Sequence, residues 1–557
     1  MDYVQLQRFR CVGGIVMRKK IAVLLTLALA IGTVGCGQQG TEDKTEAPNS
    51  VITEENVIIN DTEESTESDT EAATEEEAKE EETPSEDKVT ITFDGKNDDR
   101  YNENGDLILY VYYVHPVVTI NGNEEATKAI AAEFEDDENM FYTNCESMEE
   151  EAKLLFADGL VEDMPGLANE VRYTERRVDS KVASFTKSNY SYNGGAHGTN
   201  YTFGWNFDLE TGKRLTLEDI AEDKDAFMAG VKEYVLELCK SDAYSNRLFP
   251  DYEENIDFIL QDDLWYFDAE GITFIANTYE ISAYAEGTLF FTVPYEVLDG
   301  LKDAYSYDGG FQKSVSLGER ISMDLNGDGT ADEVLFDAEE ASDYSYTPKL
   351  TINGADYSKV FEDNQIYFAY PYEKYVILDI DGADDSFEIA VQDYGMSDDP
   401  MTAFFKYDGN KVIYMGYISD RISDLYIVND GNGKLHARER MHVFETVNMK
   451  TTYEVENDEL VRSMKDMYPI AYTDASGTKG LLQDLYVFKD MSTDSEVVKL
   501  DKGTKVTALA TDNVEWVKIR HEDGNIYYIH VVNHYMIDMN GENVDSRDVF
   551  DNIIQAG

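Results

Sequence analysis

The spacing of apolar and polar residues changes along the chain and predicts many strands interrupted by few helices. Residues 107–120 are dominated by apolar and aromatic side chains and read as a strand, whereas the apolar spacing of residues 123–137 suits a helix. More strands and a second helix follow. This order of strand, helix, strands, helix and strands predicts an α+β domain over residues 89–305.

A glycine-rich segment at 190–198 and a turn-containing segment at 207–220 punctuate this domain. The glycines of the first segment permit positive φ or close backbone approach, so we expect a sharp turn from which His197 projects. His197 is a candidate ligand contact, although an imidazole in such a loop more commonly satisfies nearby backbone groups. The second segment predicts a strand, a Thr-Gly turn and a short helix that begins near Thr216.

A third segment, residues 271–287, begins as an alternating strand and continues into a loop that carries Tyr279 and Tyr284. Tyrosines on a loop supply rigid, amphipathic contact area at little entropic cost. The loop is therefore a candidate protein-binding edge, while an equally ordinary role for its tyrosines is to cap the open end of the sheet. The candidate ligand-binding residues are His197, Tyr279 and Tyr284.

Together, the segments 190–198, 207–220 and 279–287 resemble the extracytoplasmic domain of RsiV-type anti-sigma factors, which bind lysozyme outside the cell. Residues 106–180 also resemble the smaller module that precedes this domain in its relatives. The resemblance implies a binding module rather than an enzyme, with lysozyme or another cationic envelope protein as its partner.

The second region, residues 312–457, is predicted to be rich in strands and contains an acidic loop at 324–333. Oxygen-bearing side chains alternate along this loop, and Gly329 stands where it must turn sharply, as Ca²⁺ requires. The loop is flanked by predicted strands and resembles the calcium loops of integrin-type β-propeller repeats. The alternative is a metal-free turn. The candidate ligands are the side chains of Asp324, Asn326, Asp328 and Asp332 and the carbonyl of Thr330.

A second, degenerate copy of this loop lies at residues 378–391, also before an apolar strand. Its shortened spacing favours a metal-free turn over a calcium site. Two copies are too few for a complete propeller, so we expect a partial or divergent propeller-like β-domain. The weaker candidate ligands are Asp379, Asp381, Asp384 and Asp385.

Residues 470–540 resemble a bacterial SH3 domain. An opening strand, a polar loop and a Leu-Asp-Lys-Gly turn lie within 484–503, and three further strands follow up to residue 531, with Trp516 at a matching position. The resemblance implies a small β-barrel of a kind that often binds peptidoglycan peptides. The chain departs from the family pattern at 488–491 and 526–527, which weakens the expectation of ligand binding but not that of the fold.

The N-terminal part predicts export. A basic stretch at 17–20 and an apolar stretch at 21–31 precede Thr33-Val-Gly-Cys36, which looks like a bacterial lipoprotein signal with Cys36 as the lipidated residue. We expect translation to begin at Met17. Residues 37–88 are acidic and poor in apolar side chains, which predicts a disordered linker. The chain is then anchored to the outer face of the cytoplasmic membrane, and a lipoprotein signal in place of a sigma-binding segment argues against direct anti-sigma signalling.

The composition of the chain indicates which classes of partner it can bind. With 113 acidic and 46 basic residues, the formal net charge is −67, which opposes nucleic-acid binding and favours cationic proteins or divalent cations. Cys145 and Cys239 could pair, but a domain of this size does not need a disulfide, and free thiols are favoured.

No catalytic motif stands out, so a non-catalytic envelope-binding protein is the first hypothesis. Carboxylate pairs leave no local signature, however. A peptidoglycan-processing hydrolase that uses unrecognised carboxylates therefore remains the alternative.

Overall fold

The computed structural model describes residues 89–157, 166–307, 310–342, 345–396, 399–422, 426–472 and 475–555. The predicted signal, Cys36 and the acidic linker lie outside the described residues. Where it is described, the chain is multidomain and rich in strands, with open sheets and few helices. Among the described helices, none is long and apolar enough to cross a membrane.

The first sheet is built from β1 to β6, which hydrogen-bond in the order β1, β3, β4, β5, β6, with β2 added to β3. All its pairings are antiparallel except that of β3 with β4, and parallel neighbours need a long crossover. Helix α1 (Glu124–Ala157) provides it. The strands are Val89–Asn97, Arg100–Tyr101, Leu107–Ile120, Leu167–Val178, Val182–Tyr192 and Thr199–Asp208.

Helix α1 begins as predicted but continues about twenty residues beyond the predicted end at 137. The apolar spacing breaks at Asp137, which faces the core and is only 4% exposed. Asp137 is compensated by an ion pair with Lys187 of β5 and by the hydroxyls of Tyr113 and Tyr173, which donate to it at 3.0 and 2.8 Å. The predicted end was wrong because this polar group has its partners on distant strands.

The second core lies between a small antiparallel sheet and short helices. Strands β7 (Trp265–Phe267), β8 (Gly271–Ala276) and β9 (Leu289–Pro294) pair in chain order. The helices α2 to α4 are Leu217–Ile220, Lys224–Leu238 and Tyr252–Asn255, and single 3₁₀ turns cover Ile256–Phe258, Tyr284–Glu286, Tyr295–Val297 and Asp303–Tyr305.

Two local predictions in this part have different outcomes. The short helix expected near Thr216 is confirmed, because Thr216 and Asp219 form a capping box at the start of α2. The alternating burial expected for β8 is wrong, since each of its residues is buried. The second face of β8 is covered through Ile275, which clusters with Tyr266 and packs against Phe203 of β6.

The third core lies between two antiparallel sheets. One has the order β10, β15, β16, β17, β18, and the other has the order β11, β12, β13, β14. The acidic loop predicted at 324–333 joins β11 to β12. The strands are Gln312–Ser316, Arg320–Met323, Asp332–Ser342, Ser345–Ile352, Ala355–Asp356, Lys374–Leu378, Glu388–Asp393, Met401–Tyr407 and Val412–Ile418, and helix α5 is Lys359–Asp363.

The C-terminal strands, β19 to β31, form one extended sheet. Hydrogen bonding continues from β21 to β23 and from β23 to β27, so the sheet runs across the interval between the regions predicted at 312–457 and 470–540. A buried ion pair between Glu445 and Lys479 also spans this interval, with both side chains 0% exposed. The strands are Val428–Asn429, Lys434–Met441, Val447–Glu456, Glu459–Arg462, Tyr468–Ala471, Thr478–Gly480, Leu485–Phe488, Val497–Leu500, Lys505–Thr511, Trp516–His521, Ile526–Asn533, Met536–Asp538 and Asn543–Asp545, and helix α6 is Ser546–Val549.

The two cysteines within the described residues lie in different cores. Cys145 belongs to the core under the first sheet, and Cys239 belongs to the second core. Both are buried free thiols. The preference for free thiols is confirmed.

Candidate functional site

His197, Tyr279 and Tyr284 come from separate segments and form one aromatic stack, which we call the aromatic patch. The rings of His197 and Tyr284 lie 3.9 Å apart between centroids, with 26° between their planes. Tyr279 continues the stack on Tyr284 at 5.8 Å and 29°. The structure thus brings together all the ligand-binding candidates chosen from the sequence.

The loop that carries His197 is fixed from both sides. The Tyr284 hydroxyl donates to the carbonyl oxygen of Gly198 at 3.0 Å, and His197 Nδ1 lies 2.8 Å from the same oxygen. A carbonyl oxygen has two lone pairs and can accept both bonds. Gly198 itself packs against the ring of Tyr190, and a Cβ at this position would come within 2.3 Å of that ring. A side chain at this position would have to displace the Tyr190 ring, so the glycine allows this ring to pack against the loop.

The loop that carries Tyr279 is anchored by Asn277, whose side-chain amide pairs with a backbone N–H and C=O of β6 as a neighbouring strand would. The Asn277 side chain accepts from the backbone N–H of Thr202 at 2.7 Å and donates to the carbonyl of Thr202 at 3.0 Å. Asn277 is fully buried, and its own N–H donates to Glu280 at 2.8 Å. These bonds join the loop to β6. Sequence reasoning missed Asn277, because its partner is far away along the chain.

Tyr279 has a positive φ of 71°, which is unusual for a bulky residue. Its N–H donates to the carbonyl of Ser282 at 3.1 Å, and this bond closes the turn. The side chain of Tyr279 is nevertheless 58% exposed. A strained backbone that presents an exposed ring is a pattern typical of functional sites.

The first acidic loop, residues 324–332, has its side-chain oxygens directed at its own backbone. Asp324 accepts from the N–H groups of Asp328 and Gly329 at 3.1 and 2.7 Å. Asp328 in turn accepts from the N–H of Thr330 at 2.8 Å and from the Asn326 amide at 3.3 Å. Gly329 has a φ of +84°, as the predicted sharp turn requires.

Asp332 closes this loop from the start of β12 and is 5% exposed. Its two carboxylate oxygens accept from the N–H of Leu325 at 3.1 Å and from the side chain of Asn353 at 2.6 Å. Sequence reasoning missed Asn353. Asp332 is therefore bound to protein donors on both oxygens, as Asp324 and Asp328 are, but it is the buried one among the candidate ligands of this loop.

The second acidic loop, residues 379–388, is closed by the same kind of hydrogen bond as the first, but its acceptor is a glutamate instead of an aspartate. The N–H of Ile380 donates to Glu388 at 3.1 Å, just as the N–H of Leu325 donates to Asp332. Glu388 is the first residue of β16, just as Asp332 is the first residue of β12. An acidic residue at the start of an apolar strand was the sequence signal that could have identified Glu388. Burial raises the pKa of Glu388 to about 7.

Two of the candidate ligands in the second loop have polar partners close to them. Asp381 accepts from the N–H of Ala383, and Asp384 accepts from Ser386 and lies 3.5 Å from Lys406. Burial, and then the nearby carboxylates of Asp384 and Asp381, raise the pKa of Asp379.

The two acidic loops lie side by side. Phe387 donates its N–H to the carbonyl of Leu325 at 2.9 Å, and a Cβ at Gly327 would come within 2.7 Å of Asp385. Among the described residues, however, no group of three or more His, Cys, Asp or Glu side chains is arranged to hold a metal ion. The structure therefore brings the loops together without assembling a three-carboxylate site.

Comparison with known proteins assigns the segment that carries two of the patch residues. Residues 218–296 match the family described as "Protein of unknown function (DUF3298)". These residues form a DUF3298 domain. This is the domain found in RsiV-like proteins, and it contains Tyr279 and Tyr284, while His197 precedes it.

Two solved structures match part of this chain. A member of the DUF3298 family from Bacteroides fragilis is 18% identical with a TM-score of 0.31, and a DUF3298 family protein from Pseudomonas aeruginosa is 16% identical with a TM-score of 0.26. Each match covers 39% of this chain, and 94% and 96% of those chains respectively. No curated protein matches the sequence.

Proposed function

We propose that this chain is a non-catalytic binding protein of the bacterial cell surface, anchored through a lipid on Cys36. Its aromatic patch contacts a cationic envelope protein such as lysozyme. The observation that carries the proposal is the stack of His197, Tyr284 and Tyr279, which joins a loop before the DUF3298 domain to a loop within it and leaves Tyr279 exposed. Large rings held in place by surrounding bonds lose little entropy on binding, which is a property of interface hot spots.

The strongly negative charge of the chain favours a cationic protein as the partner. A net charge of −67 attracts cationic proteins and accelerates their encounter, but attraction of this kind is non-directional and is screened by salt. Specificity then comes from the rings of the patch. We therefore expect a cationic partner to remain bound at physiological salt.

Three further parts complete the proposal. The acidic linker holds the folded regions away from the membrane, and the SH3-like region at 470–540 contacts peptidoglycan.

The first acidic loop binds Ca²⁺ through Asp324, Asn326, Asp328, Asp332 and the carbonyl of Thr330, with the second loop as a weaker site. Hard oxygen donors are the ligands that Ca²⁺ takes, and the ion would neutralise the clustered carboxylates and stabilise the turn.

Capture of lysozyme by the immobilised full-length chain tests the proposal. The experiment compares the wild type with Tyr279→Ala and Tyr284→Ala at about 0.15 M salt, where the Debye length is about 8 Å. Tyr101→Ala is a matched control, since Tyr101 is as exposed as Tyr279 but lies on β2. Cytochrome c, another small cationic protein, controls for charge. Capture that needs both patch tyrosines and excludes cytochrome c supports the proposal, whereas equal capture by all variants refutes it.

A further inference from the structure

A cleft of about 830 Å³ lies beside the end of β18, outside the aromatic patch and the acidic loops. Its volume falls within the range of roughly 300–1,000 Å³ that is usual for small-ligand sites. The cleft is bounded by residues from parts of the chain that are distant in sequence, which lie within 364–367, 399–401, 414–421 and 438–448, together with Tyr426. No part of the proposed function uses it.

Tyrosines form much of its wall. Tyr367 and Tyr417 are 74% and 54% exposed, although both line a concave surface. Tyr426 is held by two guanidinium groups, with those of Arg421 and Arg438 lying 5.2 and 5.6 Å from its ring centroid. The lining therefore contains two largely exposed tyrosines, Tyr367 and Tyr417, and a third tyrosine whose ring is held by cationic side chains.

Two arginines of the cleft form ion pairs. Arg440 lies 2.6 Å from Asp399 within the cleft, and Arg438 lies 2.9 Å from Glu175 of β4, outside its lining. Paired charges leave little net field for an ionic ligand, while guanidinium and carboxylate groups are also hydrogen-bond partners for hydroxyl groups. This chemistry favours a neutral, polar ligand over a strongly anionic or cationic one.

We propose that this cleft binds an oligosaccharide. The apolar faces of the sugar rings stack on Tyr367 and Tyr417, and the sugar hydroxyls hydrogen-bond to the paired Arg440 and Asp399. Sugars combine a flat face of C–H groups with a rim of hydroxyls, which corresponds to ring faces beside neutralised polar pairs. The inference stands independently of the lysozyme-binding patch.

Isothermal titration of the purified full-length chain with neutral tetrasaccharides of N-acetylglucosamine and of β-1,4-linked glucose tests the inference. We expect saturable binding of at least one tetrasaccharide by the wild type. Replacing either exposed tyrosine of the cleft, as Tyr367→Ala or Tyr417→Ala, should weaken it by about tenfold, because one stacking surface is lost. Both side chains are largely exposed, so the fold should tolerate these changes, and thermal melting of each variant checks this.

The controls are Tyr101→Ala in the first sheet and Tyr279→Ala in the aromatic patch. Both should bind the sugar as the wild type does. The inference is overturned if neither tetrasaccharide binds the wild type or if the cleft variants bind as tightly as the controls. It is also overturned if a peptidoglycan stem peptide without sugar binds the cleft in place of the tetrasaccharides. Loss of lysozyme binding in Tyr279→Ala with intact sugar binding would separate the two sites.

Discussion

The imidazole of His197 stacks on the phenol ring of Tyr284, and both side chains bond to the carbonyl oxygen of Gly198. This shared acceptor joins a glycine-rich loop to the loop that follows β8. The contact fixes two rings in one orientation without a disulfide or a metal ion. It makes the patch a preorganised surface, which reduces the entropic cost of binding a partner.

Because the backbone of Tyr279 is strained, we expect its replacement by glycine to weaken binding without lowering the stability of the fold. At φ 71° a glycine carries no Cβ penalty, so Tyr279→Gly should leave the free energy of unfolding unchanged or raise it by up to about 1 kcal/mol. The same change removes an exposed ring and should weaken lysozyme binding. Thermal melting and a binding titration on the same samples check this. A clear loss of stability would show that the Tyr279 ring is needed for the fold.

Two glycines of similar type should respond in opposite directions to alanine. A Cβ at Gly204 would lie 1.6 Å from the carbonyl oxygen of Trp265, where β6 meets β7. Backbone must move to accommodate it, so Gly204→Ala should cost about 3 kcal/mol or more. Gly230, in the exposed interior of helix α3, has open space around it, and Gly230→Ala should gain about 0.5–1 kcal/mol. Urea denaturation curves measure both, and similar shifts would contradict the packing described between β6 and β7.

Calcium should stabilise the third core if the first acidic loop binds it. We expect Ca²⁺ added after EDTA to raise the melting temperature by about 2–4 °C, as saturating ligands do when they bind only the folded state. Asp324→Asn should abolish this rise, because Asp324 lies at the centre of the turn. Asp356→Asn is a control, since Asp356 also accepts a backbone N–H but lies outside the loop. Scanning calorimetry that gives no shift in the wild type would rule out a stabilising site.

Local patterns predicted many elements of the fold, and long-range partners decided the rest. The start of α1 and the capping box at Thr216 depend on neighbouring residues, and the sequence contains both signals. The continuation of α1 past Asp137 depends on Lys187, which only the folded sheet brings close. The residues of the patch could be chosen from their types and loops, but their stacking depended on Asn277 and its bonds to β6.

That the C-terminal strands form one continuous sheet could not be predicted, again because the pairing residues are distant along the chain. The regions 312–457 and 470–540 were defined by a loop motif and by a family resemblance, neither of which identifies strand partners across the interval between them. The pairing of β23 with both β21 and β27 crosses that interval. Such pairings connect residues with no local pattern in common. Strand positions could therefore be predicted more readily than the sheets to which they belong.

The most direct test of the proposed function is the dissociation constant of lysozyme for the full-length chain and its Tyr284→Ala variant. Calorimetric titration at about 0.15 M salt keeps non-directional attraction small. We expect Tyr284→Ala to bind about 30-fold more weakly, the loss of roughly 2 kcal/mol that marks an interface hot spot, and Tyr101→Ala to bind as the wild type does. Equal affinity of all three proteins, or no binding by the wild type, would contradict the assignment of the aromatic patch as a lysozyme-binding surface.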